Sequence, residues 1–211
     1  MDPINFEKAH SQYAHKTQKH MKNPINFEKV RSQYAFSQKR GLHFIMASVV
    51  IWILIAIIHA TSLPIETKDL LTFCCACPLM PLAWAFSKVL KVTFSDKGNP
   101  LSSLGMVLSC AQIPYLLIVM WGMSSVPELM VMLFAMVFGA HLLPFGWFYR
   151  SGAYYVMSGV IPVGALLLGL LTSPLVLSLA MIGVEGIFCL LLYLECRKSP
   201  VSSKGQGTGE R

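Results

Sequence analysis

Glu185 lies eleven residues into an apolar run that extends from Pro174 to Leu194. In a helix, at 1.5 Å per residue, that places it roughly 16 Å deep, near the centre of a hydrocarbon layer about 30 Å thick. A carboxyl group at that depth is costly unless it is protonated, paired or wetted, so it marks a functional site by default. Gln112 and His141 fall at comparable depth in two further apolar stretches. Within about 5 Å of tilt and boundary error, the three side chains could meet slightly to the cytoplasmic side of the midplane. Pro114 follows Gln112 by two residues and Pro144 follows His141 by three. Each proline frees the carbonyl four residues earlier, those of Cys110 and Ala140, beside the polar side chains.

The chemistry open to such a set is proton or ion handling. Burial penalises the charged form of either group while mutual attraction favours it, so a Glu–His pair in a dry site can share one proton. It would serve as a proton relay, a cation site or a general acid–base pair. The bland alternative is an interhelical hydrogen-bond cluster worth about 1 kcal/mol per bond; Asn or Ser would do that without the cost of a carboxylate. A second constellation, His59, Cys74, Cys77, Met120, Met123 and Met130, offers soft ligands to Cu(I), although Met and Cys are also ordinary apolar filler. No metal or cofactor is called for. P-loop, Rossmann, Gly-x-Ser-x-Gly and His-Glu-x-x-His patterns are all absent.

The elements that must position these residues are membrane helices. The chain has 211 residues, 55% hydrophobic and 13% charged, too apolar for an ordinary soluble domain. Six spans are predicted, at about 42–61, 70–91, 101–121, 127–149, 153–171 and 174–194, with no two-residue alternation of the barrel kind. The expected fold is therefore all-α, a polytopic membrane bundle of six transmembrane helices. Sixteen of the 17 Lys and Arg fall in the two terminal segments and the alternate loops on the same side, leaving only Lys68 opposite. This asymmetry puts both termini in the cytoplasm. The net charge of +7 is then mainly a topology signal; membrane lipids are expected partners, with a small molecule or ion as substrate, and nucleic acid is not. The first 41 residues are too polar for a cleavable signal peptide, so the first span is expected to act as an uncleaved insertion signal. The six Cys read as small packing residues rather than a disulfide framework.

Residues 1–41 form a basic cytoplasmic head with a direct repeat, Pro3 to Ala14 recurring from Pro24 to Ala35 at an offset of 21 residues. Phe27, Val30 and Tyr34 in the second copy would share one helix stripe. The membrane domain is expected over 42–194, and 195–211 as a disordered cytoplasmic tail. Asn99-Pro100 and Ser173-Pro174 each place a capping residue before a helix-starting proline. Small-residue pairs at Gly105/Ser109, Ala135/Gly139 and Ala165/Gly169 would allow close helix approach. Pro81 to Trp84 and Pro144 to Trp147 share a Pro-x-x-Trp pattern, read as part of an interfacial aromatic belt.

Two stretches carry a resemblance: Asn99-Pro100-Leu101 through Leu104-Gly105 to Ala111-Gln112, and Gly139-Ala140-His141 through Pro144 and Gly146-Trp147-Phe148-Tyr149. Over residues 41–195 the chain resembles a family of small bacterial multi-span proteins of unknown function, with the duplicated head and the tail outside it. The resemblance implies a bacterial inner-membrane protein and sets Gln112 and His141 within motifs; it implies no activity.

Three functions fit this reading. A small transporter or channel-like protein would line a polar intramembrane site with Gln112, His141 and Glu185. A membrane-embedded enzyme acting on a lipid or apolar substrate would use His141 as base and Glu185 as acid. A sensor or accessory subunit would need neither site. The topology itself is testable: a reporter fused after Arg211 should read cytoplasmic and one inserted between Ser62 and Asp69 external. An external C-terminus would overturn the six-span arrangement.

Overall fold

The computed structural model describes residues 27–92 and 100–198, and these are helical, with no strand among the described residues. The first repeat copy, Asn99 and the tail from 199 lie outside them. The helices are α1 (Phe27–Ser37), α2 (Leu42–Ala60), α3 (Ile65–Cys74), α4 (Leu79–Val89), α5 (Pro100–Cys110) and α6 (Leu116–Ser125). They are followed by α7 (Met130–His141), α8 (Leu143–Phe148), α9 (Gly152–Leu171) and α10 (Pro174–Lys198), with 3-10 turns at Lys39–Gly41, Ile113–Tyr115 and Pro127–Leu129.

Five stretches are long and apolar enough to cross a membrane: Lys39–Ala60, Leu101–Ser125, Pro127–Phe148, Gly152–Leu171 and Pro174–Lys198. The expected second span is instead two short helices, α3 and α4, bent by 46° at the break, and the total is six only if that pair counts as one crossing. The break falls at Cys75–Pro78, where Pro78 cannot donate to the carbonyl of Cys74 and Pro81 follows within a turn. Prolines also interrupt the next two spans: Pro114 sits in the 3-10 turn between α5 and α6, and Pro144 follows the break between α7 and α8. At Ser173 the expected cap is formed, its Oγ accepting the N–H of Val176 at 3.4 Å.

The largest helix contact is between α2 and α10, and α2 also packs on α4. On the other side α10 packs on α9, α9 on α7, and α7 on α6. α7 and α9 run antiparallel and interlock through small residues. A Cβ on Gly139 would lie 2.5 Å from Pro162 Cδ, and one on Gly169 would lie 2.5 Å from Met132 Cγ. The Leu101–Ser125 stretch is the loosest wall: 6% of its most apolar window is buried, against 56% for Lys39–Ala60.

The described part of the second repeat copy, from Phe27, packs on the bundle. Tyr34 and Ala35 join the core, Tyr34 meeting Phe148 edge to face. Arg31 lies over the Trp147 ring at 4.6 Å, and Phe27 stacks on the same ring. Lys39, Arg40 and Gly41 link α1 to α2 with three successive positive φ angles. Left-handed backbone costs about 1–2 kcal/mol at each non-Gly residue. Those costs are offset by long-range bonds: Lys39 Nζ donates to Leu90 O at 2.8 Å, and Arg40 Nη1 pairs with Glu195 at 3.1 Å. Glu195 also accepts from Ser151 Oγ and Ala153 N, tying the start of α9 to the end of α10.

The α7–α9 interlock is open to a direct test. Gly139→Ala should lower the stability of detergent-solubilised protein by about 1–3 kcal/mol, the usual cost of overpacking. Gly164→Ala, on the same pair but with nothing within 4 Å of the added Cβ, should leave it unchanged or slightly raised. Equal effects in thermal unfolding would show that close approach at Gly139 is not what holds the two helices.

Candidate functional site

Three helix interruptions converge on one space. Ala76 and Leu79 from the α3–α4 break, Gln112 and Ile113 from the α5–α6 break, and His141 and Leu142 from the α7–α8 break all line a cavity of about 270 Å³. α2 closes it from the fourth side with Ile45, Ser48 and Trp52. An interrupted helix cannot pack along its whole length, and the residues at its break are pushed apart from their neighbours. The lining is predominantly apolar and aromatic, with Phe134, Phe138 and Phe145 beside Trp52.

Gln112 and His141 both line this one cavity. His141 closes α7 and sits edge-on to Phe145, ring centroids 5.1 Å apart. Glu185 is placed differently. It is wholly buried on α10, does not line the cavity, and its hydrogen bond among the described residues is with Ser48, 2.6 Å from its Oε2. Its other oxygen, Oε1, has no hydrogen-bond partner among the described residues. The Glu–His proton-sharing pair is thus not formed; Ser48, which lines the cavity, stands between the carboxyl group and the cavity space.

Ser48 Oγ also lies 2.8 Å from Ile45 O. A hydroxyl has one hydrogen, so both contacts are hydrogen bonds only when Glu185, as the neutral acid, donates to Ser48 and Ser48 donates to Ile45 O. When Glu185 is ionised, Ser48 donates to it and releases Ile45 O. The pair therefore has two hydrogen-bonding arrangements that differ by one proton. Ser48 was missed in the sequence because a Ser in an apolar helix ordinarily bonds its own backbone; only α10 beside it reveals the second partner.

Tyr149 and Tyr154 close the cavity at the basic end of the bundle. Asp69 is a further buried acidic group that the sequence did not single out, with neither oxygen hydrogen-bonded among the described residues. Of the soft-ligand set, His59 Nε2 lies 3.1 Å from Thr72 Oγ1, and Cys74 and Cys77 are exposed. Among the described residues no three of His, Cys, Asp and Glu gather closely enough to hold a metal ion.

Fold and site define an all-helical protein with five to six candidate membrane-spanning helices around an apolar cavity rimmed by a few polar groups. The chain belongs to DUF7010, a family of unknown function, whose sequence profile matches residues 27–195. The match starts ahead of residue 41, so the second repeat copy from Phe27 onward lies inside the family region, in keeping with its packing against Phe148 and Trp147. No curated protein and no solved structure matches the chain.

A double-mutant cycle at Ser48 and Glu185 should isolate the bond between α2 and α10. Glu185→Gln should keep the fold, since an amide oxygen still accepts from Ser48. Ser48→Ala and Glu185→Leu should each destabilise it, with a coupling of about 0.6–1.7 kcal/mol by thermal or denaturant unfolding. Zero coupling would show that the two side chains do not interact in the folded protein.

Proposed function

We propose that this chain is a multi-pass protein of a bacterial inner membrane, both termini cytoplasmic, acting as a small transporter or channel-like protein. Its polar intramembrane site comprises Gln112 and His141 at the cavity rim and Glu185 behind Ser48. The observation that carries the reading is the cavity, bounded by three spans with helix interruptions, one of them bent by 46° and another barely buried. Broken helices with polar groups at mid-depth are the usual setting of intramembrane binding sites. A wall with few packed contacts opens at low cost. Orientation is supported by the basic residues Lys39, Arg40, Lys88, Lys91 and Arg150, which gather at the end of the bundle where α1 lies.

An enzyme reading is less well supported. A general acid–base pair needs hydrogen-bond reach, about 2.6–3.2 Å or one water, and Glu185 bonds Ser48 rather than His141. A sensor reading leaves the cavity without a role.

Water access separates these functions. Cys110 lines the cavity, and the other five cysteines can be replaced by Ala to leave it alone. In proteoliposomes, a charged, membrane-impermeant thiosulfonate should modify Cys110 from one aqueous side. Modification only by a lipid-soluble maleimide, with the charged reagent excluded from both sides, would overturn transport and leave a site that opens sideways to lipid.

A further inference from the structure

The cavity is walled by uncharged side chains. Its lining contains no Lys, Arg, Asp or Glu, and it includes the aromatic side chains of Trp52, Phe134, Phe138, Phe145 and Tyr149. One carboxyl group lies directly behind Ser48, wholly buried, with one oxygen lacking any partner. None of the ion pairs among the described residues involves Glu185. A buried carboxylate with no cationic side chain is completed by an external cation or by a proton. Aromatic faces favour the same sign of charge, through the ring quadrupole.

We propose that the cavity binds a lipophilic monocation, an apolar or aromatic body carrying one ammonium group, and that this cation exchanges with a proton on Glu185. The inference rests on the transport reading of the same cavity and names its substrate class. In the empty site Glu185, as the neutral acid, donates to Ser48, and Ser48 donates to Ile45 O. When the cation enters, the carboxyl O–H bond breaks, the proton leaves to water, and Ser48 swings its hydrogen to the carboxylate, whose charge balances the ammonium across one side chain. Atoms and charge are conserved: one cation in, one proton out. The size also follows. Scaling from a cavity of about 150 Å³ that holds benzene, the observed volume takes a ligand on the order of ten non-hydrogen atoms.

Other titratable groups surround Glu185 without supplying a counter-charge. Tyr154 on α9 and Cys189 on its own helix are its electrostatic neighbours, and both are neutral when protonated. His43 is on α2 and His141 on α7, at the cavity rim. Lys39 and Arg40, in the turn that packs on the end of α10, are bonded to Leu90 O and Glu195.

Three probes of one shape test this in the unmodified full chain. Phenyltrimethylammonium, neutral tert-butylbenzene and anionic benzenesulfonate share a phenyl ring and a compact tetrahedral group. Binding is measured to protein in nanodiscs, with empty nanodiscs subtracted, across a pH series. The cation should bind at least tenfold tighter than either control, with an affinity that rises with pH by up to tenfold per unit while one proton is released per cation bound. In Glu185→Gln the cation should lose at least tenfold and its pH slope, while tert-butylbenzene binds as before. Equal or tighter binding of tert-butylbenzene, preference for the anion, no binding of any probe, or a pH-independent cation affinity would each overturn the proposal, whether or not Glu185→Gln folds. Charged-reagent access to Cys110 is read separately, so a water-accessible cavity that does not select the cation refutes the ligand class while leaving transport standing.

Discussion

A proline in a helix surrounded by apolar groups withholds one hydrogen bond from a carbonyl that has no water to turn to. This constraint organises the protein. The spans holding Pro78, Pro114 and Pro144 are interrupted, and their interruptions face one another, so that shortened helices and 3-10 turns border the cavity instead of straight helices filling it. α2 and α10 run unbroken, and the largest contact in the fold is between them. Pro162 shows the alternative outcome. It sits inside α9 without breaking it, because α9 is clamped on α7 where Gly139 leaves room for the Pro162 ring.

The polar groups divide between the two halves of the structure. On the continuous half, Glu185 and Ser48 join α2 to α10 in the interior, while Glu195 gathers Arg40, Ser151 and Ala153 N at the end. The second set is ordinary architecture: a carboxylate neutralised by an arginine and bonded to a helix start, where the helix dipole favours it. The first set is not, since among the described residues no arginine pairs with Glu185 and its Oε1 has no hydrogen-bond partner. The contrast between two glutamates on one helix, ten residues apart, sets Glu185 apart from an ordinary helix-joining carboxylate.

The string from Gly139 to Tyr149 is largely a packing motif when read in three dimensions. Gly139 admits α9, and Gly146 lies against the Tyr155 ring, where a Cβ would come within 2.8 Å. Trp147 receives Phe27 and Arg31, and Phe148 is buried against Tyr34. His141 and Tyr149 are its polar members that line the cavity, alongside the apolar Leu142 and Phe145. Trp84, the counterpart of Trp147 in the earlier Pro-x-x-Trp, carries Lys88 over its ring at 5.3 Å, the same apolar body and cationic neighbour suited to an interface.

The sequence by itself determined the helical class, the approximate ends of five spans, the Ser173 cap and the small residues through which α7 and α9 approach. These are local properties: hydropathy over some twenty residues, a side chain beside a helix start, and the absence of a Cβ. It also picked out Gln112 and His141 as neighbours of proline breaks, because a proline acts on its own chain. Whether 70–91 is one helix or two was decided by tertiary structure, since Pro162 shows that a proline alone does not settle the matter. The packing of α1 was likewise invisible, because Phe148 and Trp147, which receive it, lie more than a hundred residues away in the chain. So was the partner of Glu185. Depth along a helix can be counted from its ends, but the direction in which a side chain points depends on which helix lies alongside, and that placed Ser48, not His141, against the carboxyl group.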